Sequence, residues 1–342
     1  MQRVAEAAEI ATGQWRAYCT MPFFTPWMRD EGGRARTGWR LLSYLLVFAV
    51  LGSAAGILGH ELRTLAPRWL VGLSVMLLGG GGCLLGFWVL RTRLDRRPWS
   101  WIGLTPSARM FAFVLVGFLA GALMIGAVFG VEFGLGWIEP GRTDTAGRLS
   151  AVIGALFAAL GVGLMEELLL RGAVLQNLGE RLPLWAATLA TGVLFGVLHL
   201  ANPAQRVDVP FVASAVVATL MLVLARFVTG GLGWAIGWHA GWDWMQDLLG
   251  LASPGEDTGR ELVHLVENGP RLWTGQAPSI EGGLLPIVFI CLAAAVFWAL
   301  QTPARRRWNW RSPLVEGSPW RAQSRVGGHG ADHRTRQPSS SP

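Results

Sequence analysis

Met165-Glu166-Glu167-Leu168-Leu169-Leu170-Arg171 sets two adjacent carboxylates and a guanidinium inside an apolar stretch, residues 150–178. Ionisable side chains at bilayer depth are costly, so they face cavities or partners and they work. The rest of the chain supports the membrane premise. Hydrophobic residues make up 52% and charged residues only 15%, where a soluble domain carries about a quarter charged residues.

Outward from that run, apolar segments recur at 39–58, 69–90, 111–137, 150–178, 184–200, 209–228, 231–251 and 283–300. Each approaches the length that spans a hydrocarbon core, so the expected fold is all-α, a polytopic membrane helix bundle of about eight transmembrane helices. Three regions follow: an N-terminal arm, 1–38; the bundle, 39–302, with its motif core at 150–249; and an Arg-rich tail, 303–342, expected to be largely disordered. Glycine is frequent inside the spans, and Gly79-Gly80-Gly81-Gly82 reads either as a close-packing surface or as a local break.

The cations set the orientation. Arginines gather in the arm (Arg29, Arg34, Arg36, Arg40), in the second connection (Arg91, Arg93, Arg96, Arg97, Arg109) and in the tail (Arg305, Arg306, Arg307, Arg311). With eight spans those regions share one side, and the acidic connection 252–282 falls on the other. The positive-inside rule then predicts both termini in the cytoplasm. This distribution turns the net charge of +7 into a topology signal and excludes nucleic acid as a partner. Cys19, Cys83 and Cys291 are scattered without a CxxC, so neither a disulfide framework nor a thiolate metal site is expected. The first apolar run follows a long, mostly polar stretch, so no cleavable signal peptide is expected. The expected location is multi-pass in a bacterial inner membrane.

Two later segments carry matching polar residues, Phe195 and His199 in one and His239 and Asp243 in the next. Glu167 and Arg171 lie four apart on one helix face and will pair in a dry setting, while Glu166 is turned by about 100° and can point elsewhere. Phe195 can pack over His199 and fix its rotamer. Asp243 can accept from His239, or both can face one cavity. Each pair also has a purely structural reading: a buried ion pair, a satisfied core histidine, a polar tie between helices. Depth favours a shared site. Glu166 and His199 lie roughly 20 and 24 Å from the turn near Gly179–Pro183, and His239 and Asp243 roughly 14 and 20 Å past Gly230.

In this order, Glu166-Glu167-x-x-x-Arg171, Phe195-x-x-x-His199 and His239-x-x-x-Asp243 resemble the motifs of the CPBP family, which includes the type II CAAX prenyl endopeptidases and the Abi, bacteriocin-immunity-type proteins. The resemblance covers about 150–249. It implies an intramembrane endopeptidase acting near the cytoplasmic leaflet on membrane-associated peptides or proteins, prenylated CAAX tails being the family's eukaryotic substrate. It further implies that Glu166 takes the proton from water with His199 as its partner. His239 with Asp243 stabilises the oxyanion, and Glu167 and Arg171 hold the helix and the local field. The last motif position is often Asn; an ionised Asp243 cannot donate a hydrogen bond.

Zinc is a competing reading, with Glu166, His199 and His239 as ligands and Glu167 or Asp243 as base or in support. No HExxH is present, and the metal-free route is slightly favoured. Two other functions use the same residues: a non-catalytic membrane partner, such as a scaffold or immunity protein, and a proton- or cation-coupled carrier. The intact motif set speaks against the former, and the lack of inverted repeats against the latter.

Overall fold

The computed structural model of the chain describes residues 34–143, 147–201, 207–251, 262–275 and 280–300. Most of the expected N-terminal arm, the tail 303–342 and the acidic residues Glu256, Asp257 and Glu261 lie outside them.

A helix occupies each of the eight apolar runs. They are α1 (Thr37–Leu62), α2 (Arg68–Asp95), α3 (Ala108–Gly134), α4 (Arg148–Gly179), α5 (Leu184–Leu198), α6 (Val209–Thr229), α7 (Gly233–Leu248) and α8 (Leu284–Ala299). Their starts follow local chemistry. Ser107 accepts from the Met110 amide at 3.1 Å to cap α3, and Asp208 accepts from the Phe211 amide at 3.1 Å to cap α6. Pro67 and Pro183 precede α2 and α5, where a missing amide costs nothing. Gly230, at φ 84°, ends α6 in the left-handed region that a Cβ disfavours.

Five of the eight, α1 to α4 and α6, are long and apolar enough to cross a membrane. α5 and α8 are apolar but shorter, and α7 has 16 residues carrying His239, Asp243 and Asp247. The expected eight helices are therefore present, while length and composition mark five of them as crossings. The outer faces leave Val50, Leu123 and Leu292 exposed, the surface a lipid-facing bundle presents.

Strands are the departure from an all-helical reading. β1 (Ile138–Thr143) follows α3, β2 (Val263–Glu267) follows α7, and the two pair antiparallel with Ile138 opposite Glu267. The connections that follow α3 and α7 thus satisfy each other's backbone groups.

The four-glycine run forms no break. It lies in and just past a π-turn, Met76–Gly81, where Gly80 comes against Gly161 of α4. A closer seam joins α7 to α3. A Cβ on Gly237 or Gly241 would strike the Val114 or Phe118 carbonyl, and one on Gly117 or Gly121 would strike the Trp234 or Trp238 carbonyl. Mutual absence of side chains brings these two backbones together, as in small-residue seams between membrane helices. It sets α7, and so His239, at a fixed depth in the bundle. One core cluster surrounds α3, α6, α7 and α8; a second joins α1, α2 and α4, reaching α7 at Leu232 and Ile236.

The ends sort into two faces. At one, Arg40 of α1 donates to Glu180 at 2.7 Å, Arg97 pairs with the same carboxylate at 3.2 Å, and the Leu232 amide donates to Gly103 O at 2.7 Å. This gathers the start of α1, the ends of α2 and α4 and the approaches to α3 and α7. The β-ladder closes the far ends of α3 and α7. Burial by itself would raise the Glu180 carboxyl, but the Arg40 hydrogen bond and the Arg40, Arg97 and Arg34 charges outweigh it and hold the group below the usual carboxylate range.

Candidate active site

The site begins where α4 changes its winding. From Leu168 to Val174 the helix is π-wound, starting one residue after Glu167 and containing Arg171. The Leu175 amide donates to Leu170 O, five residues back. Such single π-turns recur at functional positions because they rotate the side chains that follow. The spacing of Glu167 and Arg171 suggested an ordinary helix; the pair still meets, Arg171 Nη1 donating to Glu167 Oε1 at 2.7 Å with both side chains fully buried.

His239 of α7 sits against both carboxylates. Its Nδ1 lies 3.0 Å from Glu167 Oε1. A carboxylate oxygen in an ion pair only accepts, so Nδ1 is the protonated, donating nitrogen. Its Nε2 faces Glu166 Oε2 at 3.6 Å and Asp243 Oδ2 at 3.8 Å. Those distances exceed a direct hydrogen bond and suit a group held between the atoms. Glu166 Oε2 is buried and makes no hydrogen bond to another described residue. Glu166 therefore does not point away from Glu167's partner: the two acids grip one imidazole by its two nitrogens.

His199 stands differently from its expected place beside Glu166. α5 ends at Leu198, and His199 opens a 3-10 turn. Its Nδ1 is 2.8 Å from its own Phe195 O, and its ring lies between Phe195 and Phe211, with centroids at 4.9 and 5.2 Å. Neither a hydrogen bond nor an ion pair joins it to Glu166; His239 is the histidine that Glu166 meets. Phe195 makes the link. Its ring packs edge-on to both histidines, 5.9 Å from His239, and the Arg171 guanidinium lies over it at 5.1 Å.

From His239 a small groove opens between Phe195, Phe211, Trp238, Trp242 and Ile290, with a cavity volume of about 40 Å³. Its lining is mostly apolar, and Glu281, which accepts from Trp242 Nε1 at 3.3 Å, is its acidic member away from the histidine. A few polar groups beside a mostly apolar lining are the usual make-up of a binding pocket.

Sequence reading missed Thr219 and Arg226. Thr219 accepts from Arg171 Nη2 at 2.9 Å, and Arg226 Nη1 donates to Arg171 O at 2.5 Å. The signal existed: both are polar residues inside the apolar run of α6. As to zinc, among the described residues no three His, Cys, Asp or Glu side chains converge as a metal-binding group.

Residues 148–245 match the family model described as type II CAAX prenyl endopeptidase Rce1-like. The match begins with α4, ends within α7 and contains all seven motif residues. The match falls on the stretch whose three motifs resemble that family. No curated protein matches the chain, and no solved structure does. Five apolar helices of spanning length together with this match make the chain an integral membrane protein.

Proposed function

We propose that the chain is an intramembrane endopeptidase that hydrolyses membrane-associated peptide or protein substrates, of the CAAX-type prenylated class or related to it, by a carboxylate-activated water. The observation that carries this reading is the buried, unbonded Glu166 Oε2 facing His239 Nε2 at 3.6 Å beside an apolar groove.

Peptide hydrolysis needs a base for water and a donor for the oxyanion. Glu166 takes the proton as the water oxygen attacks the scissile carbonyl carbon. With both ring nitrogens protonated, His239 gives its Nδ1–H to Glu167 and its Nε2–H to the developing oxyanion. Glu167, itself held by Arg171, prevents the imidazole from turning. Asp243 is an acceptor near Nε2 that balances the imidazolium; the oxyanion donor is His239. Collapse of the tetrahedral intermediate breaks the C–N bond, and the proton on Glu166 passes to the leaving amine. His199 packs against Phe195 and Phe211, both of which line the groove.

The test is Glu166→Gln, which keeps shape and hydrogen-bonding capacity but removes the basic oxygen. Cleavage of a membrane-anchored peptide by the purified protein is expected to fall by at least the roughly 10²–10⁴-fold typical of a lost general base, with the melting temperature unchanged or higher. A Gln variant cleaving at near wild-type rate would end this assignment. Activity that rises and falls with stoichiometric bound zinc would replace the metal-free route with the metal one.

A further inference from the structure

Arg226 is a second guanidinium in the middle of the bundle. It is fully buried on α6, and its contacts run to main-chain oxygens. Nη1 donates to Arg171 O at 2.5 Å, and Nη2 donates to Trp101 O at 3.0 Å. The Arg171 carbonyl lies within the π-turn. In a continuous α-helix it would receive the Leu175 amide, but here that amide reaches back to Leu170 O. Arg226 donates to the Arg171 carbonyl from α6.

The same helix also holds the Arg171 side chain. Thr219, two turns before Arg226 and on the same face, takes Arg171 Nη2 at 2.9 Å. α6 therefore grips Arg171 twice, by backbone and by side chain. Beyond Arg171 lie Glu167 and, through it, His239 Nδ1. On the other side the Trp101 carbonyl is shared with Gln176 Nε2, and Gln176 Oε1 accepts from Arg91 at 3.0 Å. Gly103, at φ 84°, lies so close to Arg226 that a side chain there would meet the guanidinium.

We propose that Arg226 is a positioning residue for the site. It stabilises the π-turn of α4 and so holds the Arg171–Glu167 pair where Glu167 can orient the His239 imidazole. It touches no reacting atom and acts through Arg171. The inference rests on the protease reading for its kinetic consequence, but not for its structural one.

Two measurements on detergent-solubilised full-length protein separate these. The first is kinetic, with wild type as positive control and Glu166→Gln as the inactive control. Arg226→Gln is expected to lower kcat on the order of 10²-fold with KM little changed, as small misplacements of a reacting group do. Arg226→Lys, which retains a charged donor for Arg171 O, is expected to recover most of that loss. Thr219→Val removes the other grip without touching charge and is expected to lower kcat in the same direction. The loss in Arg226→Gln should largely disappear when Glu167 is already Gln, since both act on one imidazole.

The second measurement reads histidine ¹⁵N signals, with His239 identified by His239→Gln. Its Nδ1–H resonance should shift in Arg226→Gln and stay near the wild-type position in Arg226→Lys. A folded Arg226→Gln protein with wild-type kcat and an unmoved His239 signal would overturn the proposal. So would an effect fully additive with Glu167→Gln. If Arg226→Gln does not fold, the Lys and Val variants decide: wild-type kcat and signal in Thr219→Val, with an unrescued Lys variant, reduce Arg226 to a structural residue. If the wild type cleaves nothing, the protease reading fails while the His239 signal still tests the brace.

Discussion

Glu167 Oε1 serves two partners at once, Arg171 at 2.7 Å and His239 Nδ1 at 3.0 Å. Removing Arg171 leaves that buried carboxylate uncompensated, which in soluble proteins costs roughly 3–5 kcal/mol. Arg171→Ala is therefore expected to melt well below wild type and to be inactive; a stable, active variant would show that His239 suffices to hold Glu167. The pairing itself was legible from residue spacing, since four residues on any near-helical path bring the two chains together. That both acids reach His239 was not, because it depends on the π-turn and on how close α7 comes. That His199 makes no direct bond to Glu166 was hidden for the same kind of reason. Depth counting put it level with Glu166, but depth carries no azimuth, and the 3-10 turn after Leu198 directs its Nδ1 to its own backbone.

At the level of elements, the fit of α7 on α3 decides where His239 and Asp243 stand. Gly237 and Gly241 flank His239 along α7, and each faces a carbonyl of α3 with no room for a methyl group. Gly237→Ala must push the helices apart; overpacking of this kind costs typically 1–3 kcal/mol, and the shift falls on the imidazole. A lower melting temperature with a disproportionate loss of cleavage is the expected result. Gly126→Ala is the matched control on α3: open space surrounds that position, so the alanine should be neutral, or stabilising by about 0.5–1 kcal/mol through helix propensity. The eight helices were readable because apolar runs and their punctuation are local. The β1–β2 pairing and the groove were not, since they arise between segments far apart in sequence.

Among the described residues, Arg40 and the arginine-rich connection after α2 gather at one face and the β-ladder lies at the other. If all eight helices cross and arginines mark the cytoplasm, a cysteine placed at Arg96 should label from the cytoplasmic side and one at Val266 from the opposite side. Both labelling from one side would break the expected topology. The Glu180 cluster adds a pH dependence. Its folded carboxyl is held below its ordinary value of 4.5, so its contribution is fully present above 4.5 and is lost as pH falls through the lowered folded value. Melting temperature should drop on acidification in that range, and Glu180→Gln should flatten that part of the curve while being less stable near neutrality.

The α3–α7 seam also has a consequence in time. Gly117 and Gly121 are synthesised long before Trp234 and Trp238 reach them, so the glycine face of α3 must wait in lipid or against a transient neighbour until α7 emerges. Glu167 and Arg171, on one helix, can neutralise each other as soon as α4 is made. The imidazole that they hold arrives last, with the seventh helix. Contacts this distant in the chain form late. A nascent chain released before α7 would carry a quiet ion pair and no histidine beside it, so no fragment made on the way to the finished protein would have the complete site.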